Sequence, residues 1–254
     1  MSVIVLTSAH GAPGVTTTAL ALTVAWPSAR VGRRVLLVDA DPAGSGLLSG
    51  SLRNGVPDSA GVSVLAAARP PLSAEQVVAC AVALDERATR MVLPGVVDPA
   101  QARPLASMWG ALAEAAHDLS GLGVDVLVDM GRLGHRHEPS MWLTAADLLA
   151  VVLRGDLGSV LPAAAALRTL AGLRGSAQAP VGVVVDLAGY STAEITAATG
   201  ASATLTIPRD DWAARALADG ALGGLRLDRS PLMRAARSLA AQIATLVPEP
   251  AVTA

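Results

Sequence analysis

The chain has 254 residues, of which 52% are hydrophobic and 16% are charged, and its formal net charge is −2. This size and apolar content suffice for one large domain with a substantial core, and they exclude a disordered chain. The small negative charge argues against a strong general attraction to nucleic acid. The single cysteine, Cys80, excludes an internal disulfide and fits a reducing compartment, so we expect a cytoplasmic protein.

Apolar runs of strand length alternate along the chain with amphipathic runs of helix length. The predicted strands are residues 3–6, 35–39, 90–93, 124–129, 148–153, 181–186 and 203–207. The predicted helices are residues 16–26, ended by Pro27, then 74–84, 104–119, 158–173 and 192–199, and a last one with apolar spacing from Leu232 to Leu246. Continuous apolar strands between helices predict a doubly wound, mostly parallel α/β sheet of about seven strands. We expect a single domain, residues 1–247, and a short flexible tail, residues 248–254.

A glycine-rich turn separates the first predicted strand from the first predicted helix, which is the setting of a phosphate-binding loop. Its residues are Gly11, Ala12, Pro13, Gly14, Val15, Thr16 and Thr17. In such a loop, backbone N–H groups and the helix N-terminus bind phosphate, and a hydroxyl such as that of Thr16 binds Mg²⁺. The lysine that usually follows the last glycine is replaced by Val15. The alternative is a tight turn that needs glycine for steric reasons only.

Two further segments place carboxylates at the ends of predicted strands. Asp39 and Asp41 lie at the end of the second strand, and Asp129 ends the fourth. Acidic residues at the carboxyl ends of parallel strands line the crevice in which ligands bind. We expect Asp39 and Asp129 to orient Mg²⁺ and Asp41 to orient an attacking water, with solvated loop acids as the alternative.

These three segments, in this order and at these separations, resemble the MinD/ParA family of deviant-Walker ATPases. The family's first motif reads Lys-Gly-Gly-x-Gly-Lys-Thr-Thr, and His10 and Val15 stand at its two lysine positions. The loop is therefore a degenerate Walker A motif that lacks both lysines. Asp129 falls at the Walker B position, and weaker matches cover nearly the whole chain.

The resemblance implies ATP or ADP bound with Mg²⁺, a homodimer, and a role in positioning a division, partition, pilus or secretion assembly. It adds Asp186, where the family often has a base-contacting Asn, and Pro208 to the nucleotide-binding residues. Codon bias would turn lysine into arginine rather than into His10 or Val15. We therefore expect weak nucleotide binding and little or no hydrolysis.

Three alternatives stand beside this prediction. The first is an active ATPase in which Arg132, Arg136 or a partner residue replaces the lysine. A dinucleotide-binding oxidoreductase is disfavoured, because the loop lacks Gly-x-Gly-x-x-Gly. A metal cluster at residues 135–138 is disfavoured too, because a second pair of ligands is missing.

The C-terminal helix bears on binding to membranes and nucleic acid. Its arginines, Arg229, Arg234 and Arg237, lie near its start, and its later part is apolar rather than basic and amphipathic. No apolar run approaches the ~20 residues of a membrane span. We expect no direct membrane binding, no tight nucleic-acid binding, and a protein partner that directs localisation. The dimer face and the region of Trp109 and Trp142 are the expected contact surfaces.

Overall fold

The computed structural model describes residues 3–11, 13–53, 55–175 and 178–247, so the predicted tail lies outside the described residues. Eight strands of the described chain form one sheet in the order β3-β4-β2-β5-β1-β6-β7-β8. They are β1 Val3–Ser8, β2 Arg34–Asp39, β3 Val82–Ala83, β4 Arg90–Leu93, β5 Val124–Arg132, β6 Leu148–Arg154, β7 Val181–Val185 and β8 Thr204–Ile207. Neighbouring strands are parallel except at β3, which pairs antiparallel with β4. The predicted doubly wound, mostly parallel sheet is confirmed.

Helices cover both faces of the sheet. They are α1 Val15–Ala29, α2 Val62–Ala67, α3 Ala74–Ala79, α4 Met108–Asp118, α5 Met141–Ala145, α6 Leu157–Arg174, α7 Thr192–Thr199, α8 Asp211–Ala218, α9 Leu225–Asp228 and α10 Pro231–Leu246. Short 3-10 helices lie at Pro99–Gln101, Arg103–Leu105 and Leu119–Leu122. In β1, Ile4 and Leu6 pack with α1, α8 and α10, while Val3 and Val5 face the core under α4, α5 and α6. Both faces of β1 are therefore buried, which explains its unbroken apolar sequence.

Three sequence predictions need correction. The helix predicted through residue 84 ends at Ala79, and Val82–Ala83 instead forms the two-residue edge strand β3. Periodicity cannot reveal so short a strand. Trp109 and Trp142 are 5% and 0% exposed, so they belong to the core and do not mark a contact surface.

The third correction concerns the end of α1, which continues through Pro27 to Ala29. Proline in the last turn removes only one backbone donor, and the N–H of Arg30 still bonds to the carbonyl of Trp26 at 3.0 Å. The side chain of Trp26 is fully buried, and its Nε1–H donates to Asp125 Oδ2 at 3.0 Å. This tertiary contact holds the last turn against β5.

Asp125 is a buried carboxylate that binds side chains from the end of α1 and the residues after it. Besides Trp26, it accepts hydrogen bonds from Arg30 Nε at 3.4 Å and from Arg33 Nε at 2.9 Å. Asp125 is fully buried and Arg30 is only 6% exposed. Removing one partner of a buried charge cluster leaves the others without compensation, which is strongly destabilising.

We therefore expect Asp125→Ala to lower the free energy of unfolding by about 3–5 kcal/mol, because Trp26 and two guanidinium groups lose their acceptor. Urea denaturation followed by tryptophan fluorescence measures this change. Asp58→Ala, at an exposed position, is the control and should change stability by less than about 0.5 kcal/mol. Equal stability of the two variants would show that the Asp125 cluster does not hold α1 on the sheet.

Candidate functional site

The carboxyl ends of β2, β5 and β1 lie side by side in the sheet and bring the predicted site residues together. Asp39 at the end of β2 is the direct register partner of Asp129 in β5. On the other side of β5, the Thr7 hydroxyl of β1 donates to the Gly131 carbonyl at 3.0 Å. The glycine-rich turn after β1 therefore opens beside both carboxylates.

The turn between β1 and α1 requires glycine at two described positions. Gly11 has φ +63° and Gly14 has φ +106°, a backbone conformation that residues with a Cβ rarely adopt. Gly14 is the N-cap of α1, and the positive end of this 15-residue helix faces the turn. Pro13 is buried and offers no N–H. Ala12 lies outside the described residues.

An open cleft of about 440 Å³ lies at this turn. Its lining residues are Ser8, Gly11, Pro13, Gly14, Val15, Thr16, Thr17, Asp41, Ala43, Gly131, Arg132 and His135. The structure thus gathers the described loop residues and Asp41 around one space. A helix N-terminus with adjacent free N–H groups and a hydroxyl is suited to bind an anion.

Position 15, where a phosphate-binding loop usually has lysine, is occupied by the uncharged Val15. Val15 is the first residue of α1 and is 6% exposed. It packs in the core on the α1 side of the sheet and also contributes to the cleft wall. His10, at the other lysine position, is exposed and does not line the cleft. Arg132 does line it, whereas Arg136 lies on the exposed loop that follows.

Asp39 is fully buried and held by two donors. Its Oδ2 accepts a hydrogen bond from the Ser45 hydroxyl at 2.6 Å, and its Oδ1 accepts one from the Asp41 N–H at 3.4 Å. Burial and the nearby charge of Asp129 raise the pKa of Asp39 to about 8, against the lowering effect of these bonds. A Cβ at position 95 would overlap the Asp39 carboxyl, so the close approach of these segments requires Gly95.

Asp129 has one oxygen without a hydrogen-bond partner. Its Oδ1 accepts from the Gly131 N–H at 3.0 Å, whereas Oδ2 is buried and has no partner among the described residues. Burial raises the pKa of Asp129 to about 6, and the hydrogen bond from the Gly131 N–H acts to lower it. An orphaned carboxylate oxygen of this kind fits a hydrated divalent cation, since Mg²⁺ keeps most of its waters and takes few protein ligands.

The protein side chains alone do not form a metal cage. Within the described part of the chain, no group of three or more His, Cys, Asp or Glu residues is placed to hold a metal ion. This includes His135 and His137, whose ring centroids are 6.1 Å apart. A cation at Thr16, Asp39 and Asp129 would therefore need oxygen ligands from water or from a bound phosphate.

The carboxyl of Asp41 lies next to Gly131, and both residues line the cleft. Gly131 has φ +64°, and a Cβ there would overlap the Asp41 carboxyl, so position 131 requires glycine for two reasons. The Oδ1 of Asp41 accepts a hydrogen bond from the Ala43 N–H at 2.8 Å, which fixes the side chain. Asp41 is half-buried and reaches the solvent of the cleft.

A second pocket of about 220 Å³ continues from the cleft and shares Pro13, Gly14 and Thr17 with it. Its other lining residues are Thr18, Arg154, Val185, Ile207, Pro208, Arg209, Asp210, Asp211, Ala214 and Leu232. Pro208 therefore lines the same pocket as three residues of the loop. Asp186 is exposed and lines a neighbouring pocket with Pro208 and Arg209 instead.

Sequence reasoning missed three residues that shape the site. Ser45 binds Asp39, Gly131 makes room for Asp41, and Arg154 reaches the second pocket. Gly131 was detectable as a glycine two residues after a strand-ending acid. Ser45 and Arg154 gave no signal, because only the folded chain brings them to the loop.

Comparisons with known proteins agree with this architecture. No protein-family model matches the sequence, and no curated protein matches it. Solved structures do match the chain, and they share its α/β architecture.

Several of the matching structures are MinD and ParA proteins. MinD of Pyrococcus horikoshii, complexed with Mg-ADP, is 20% identical, with a TM-score of 0.73 and coverage of 96% of each chain. A chain of the Aquifex aeolicus MinC:MinD complex is 21% identical, with a TM-score of 0.71 over 100% of this chain and 99% of that one. A ParA family ATPase of Chlorobium tepidum is 15% identical, with a TM-score of 0.71 over 94% and 98%. The protein has the MinD/ParA fold.

The raised pKa of Asp39 predicts that stability falls as pH rises. Between pH 3.8, the ordinary pKa, and about 8, the unfolded chain releases a proton that folded Asp39 retains, so the free energy of unfolding decreases through this range. Asp39→Asn keeps the shape but removes the titration, so its stability should depend less on pH. Urea denaturation at pH 5, 6, 7 and 8, with Asp58→Asn as the control, measures the difference. Parallel pH profiles for wild type and Asp39→Asn would contradict it.

Proposed function

We propose that this protein is a MinD/ParA-like positioning protein that binds ATP or ADP weakly with Mg²⁺ and hydrolyses ATP slowly or not at all. The observation that carries the proposal is a loop that keeps Gly11, Gly14 and Thr16 of the phosphate-binding motif and has Val15 in place of its lysine. The fold supports nucleotide binding, since a MinD with this fold is complexed with Mg-ADP.

In this proposal, the site's own residues divide the work of binding. Gly11, Gly14, Thr17 and the N-terminus of α1 face the phosphates, while Pro208 and Asp186 lie on the side of the base. The metal would be held through Thr16, Asp39 and the unpaired Oδ2 of Asp129, and when bound it neutralises phosphate charge.

Hydrolysis needs more than this arrangement. Asp41 lines the cleft, and in this proposal its role is to orient a water. Charge that develops on the transferred phosphoryl group, however, meets methyl groups at Val15 rather than an ammonium. Loss of one such electrostatic group costs roughly 10²-fold or more in rate. In this proposal the protein therefore acts by binding nucleotide and a protein partner rather than by hydrolysing ATP.

The alternative is an active ATPase in which an arginine replaces the lysine. Arg132 is the residue that favours it, because it lines the cleft next to Gly131 and Asp41. In this alternative, its guanidinium neutralises phosphate charge in place of the missing lysine.

We further propose that the protein is a cytoplasmic homodimer whose location is set by a protein partner. The support is the likeness to MinD in a MinC:MinD complex and to ParA. Within the described residues, no helix is long and apolar enough to cross a membrane. On α10 the buried residues are spread along the helix, from Leu232 to Ile243, so its apolar face serves the core.

We expect wild-type protein to turn over ATP far below about 1 s⁻¹, and Val15→Lys to bind MgATP about tenfold more tightly because it restores a cation at the cleft. Val15→Met is the matched control, since it adds length without charge. Titration calorimetry with MgATP and MgADP, together with a phosphate-release assay, measures both effects. Wild-type turnover of about 1 s⁻¹ or faster would favour the Arg132 alternative, which Arg132→Gln then tests.

The purified protein should bind neither anionic lipid nor nonspecific DNA tightly. The net charge of −2 and the burial of the apolar face of α10 are the physical reasons. Co-sedimentation with phosphatidylserine-containing liposomes and filter binding to duplex DNA at physiological salt test the expectation, with and without MgATP. Clear binding in either assay without a partner would refute partner-directed localisation.

A further inference from the structure

We propose that Arg154 binds the ligand phosphate nearest the nucleoside and so supplies, at a new position, the positive charge that the loop has lost at Val15. This inference rests on the proposed nucleotide binding and deepens it by naming the cation and the phosphate it serves. Arg154 lines the second pocket together with Pro13, Gly14 and Thr17, three residues that also line the phosphate cleft.

Strand pairing places Arg154 beside the loop. It is the last residue of β6, which pairs in parallel with β1, and Thr7 is the register partner of Val151. The carboxyl end of β6 therefore lies next to the turn that follows β1. The N–H of Arg154 donates to the Ser159 hydroxyl at 2.9 Å, which fixes its backbone, while its side chain is 47% exposed.

The other charged side chains of this pocket form hydrogen bonds with other groups of the protein. Arg209 makes two hydrogen bonds to Asp211, at 2.8 and 3.3 Å. The Asp210 carboxylate accepts from the N–H groups of Ala213 at 3.0 Å and Leu232 at 3.5 Å, and so joins the starts of α8 and α10.

The ion pair of Arg154 is longer than that of Arg209 with Asp211, although both pairs are about half exposed or more. The Arg154 pair joins Nε to Asp156 Oδ2 at 3.6 Å, and both side chains are about half exposed. A pair of this length and exposure contributes little to stability, so the guanidinium can turn to an anion at small cost. The ligand class follows from the rest of the wall, because Val185, Ile207 and Pro208 offer an apolar surface suited to a base. The site fits a nucleoside mono- or diphosphate.

This position also accounts for binding without turnover. Arg154 lines the pocket that has the apolar wall, whereas Thr16, Asp41 and Gly131 line the cleft and not that pocket. A cation far from the reacting phosphate stabilises the bound ground state and the transition state equally, which tightens binding without accelerating the chemical step.

The test compares Arg154→Gln with the wild type, using Arg168→Gln on the exposed surface of α6 as the control. Calorimetry with MgADP and with adenosine measures both affinities. We expect Arg154→Gln to weaken MgADP about tenfold and to leave adenosine unchanged, because the lost contact is a charged hydrogen bond to phosphate. The thermal unfolding midpoint should stay the same in all three proteins.

Each other outcome has a definite meaning. If wild type binds MgADP and Arg154→Gln binds it equally well, the inference is wrong while the proposed function stands. An equal loss of adenosine and MgADP affinity would also overturn it, since that result indicates a damaged pocket. If wild type binds no nucleotide at millimolar concentration, the proposed function fails and the inference fails with it.

Discussion

The parallel pairing of β5 between β1 and β2 is the constraint on which the rest of this structure depends. β5 carries two buried carboxyls four residues apart, Asp125 and Asp129, and the two ends of α1 lie next to them. The last turn of α1 bonds to Asp125 through Trp26, and Thr16 in its first turn lies by Asp129. Since strand residues four apart point to the same face, one helix can contact both acids. The same packing that fixes the helix therefore also sets the loop against the site.

The site combines two buried carboxyls, whose charges are costly to bury, with an open loop suited to an anion. Two adjacent carboxyls, Asp39 and Asp129, are buried, one Asp129 oxygen has no partner among the described residues, and burial raises the pKa of both groups. A divalent cation would compensate their charges, and the phosphates would supply its remaining ligands. In the proposed function, Val15 leaves this loop without the charge that would favour the transition state. In the further inference, Arg154 at the end of β6 would add affinity without accelerating the chemical step.

Prediction from sequence succeeded where burial alone decides structure and failed where a particular tertiary contact decides it. Continuous apolar runs bounded by acids and glycines gave the parallel strands, because strands buried on both faces leave that pattern. The end of α1 was wrong, since a buried bond from Trp26 to Asp125 outweighs the local effect of Pro27. Edge strand β3 was missed, because two residues have no periodicity. The helical positions of Trp109 and Trp142 left core and interface open, and burial in the folded chain decides for the core.

The sequence by itself determined the class of fold, the order of the loop and the strand-end acids, and the absence of both lysines. These features are local, and each is set by residue type and spacing along the chain. Only the tertiary structure decided which residues share the site. It placed Asp39 opposite Asp129, left one Asp129 oxygen unpaired, set Asp186 in a neighbouring pocket and brought Arg154 to the loop. The physical reason is that these contacts join residues distant in sequence, whose proximity is fixed by strand order and register.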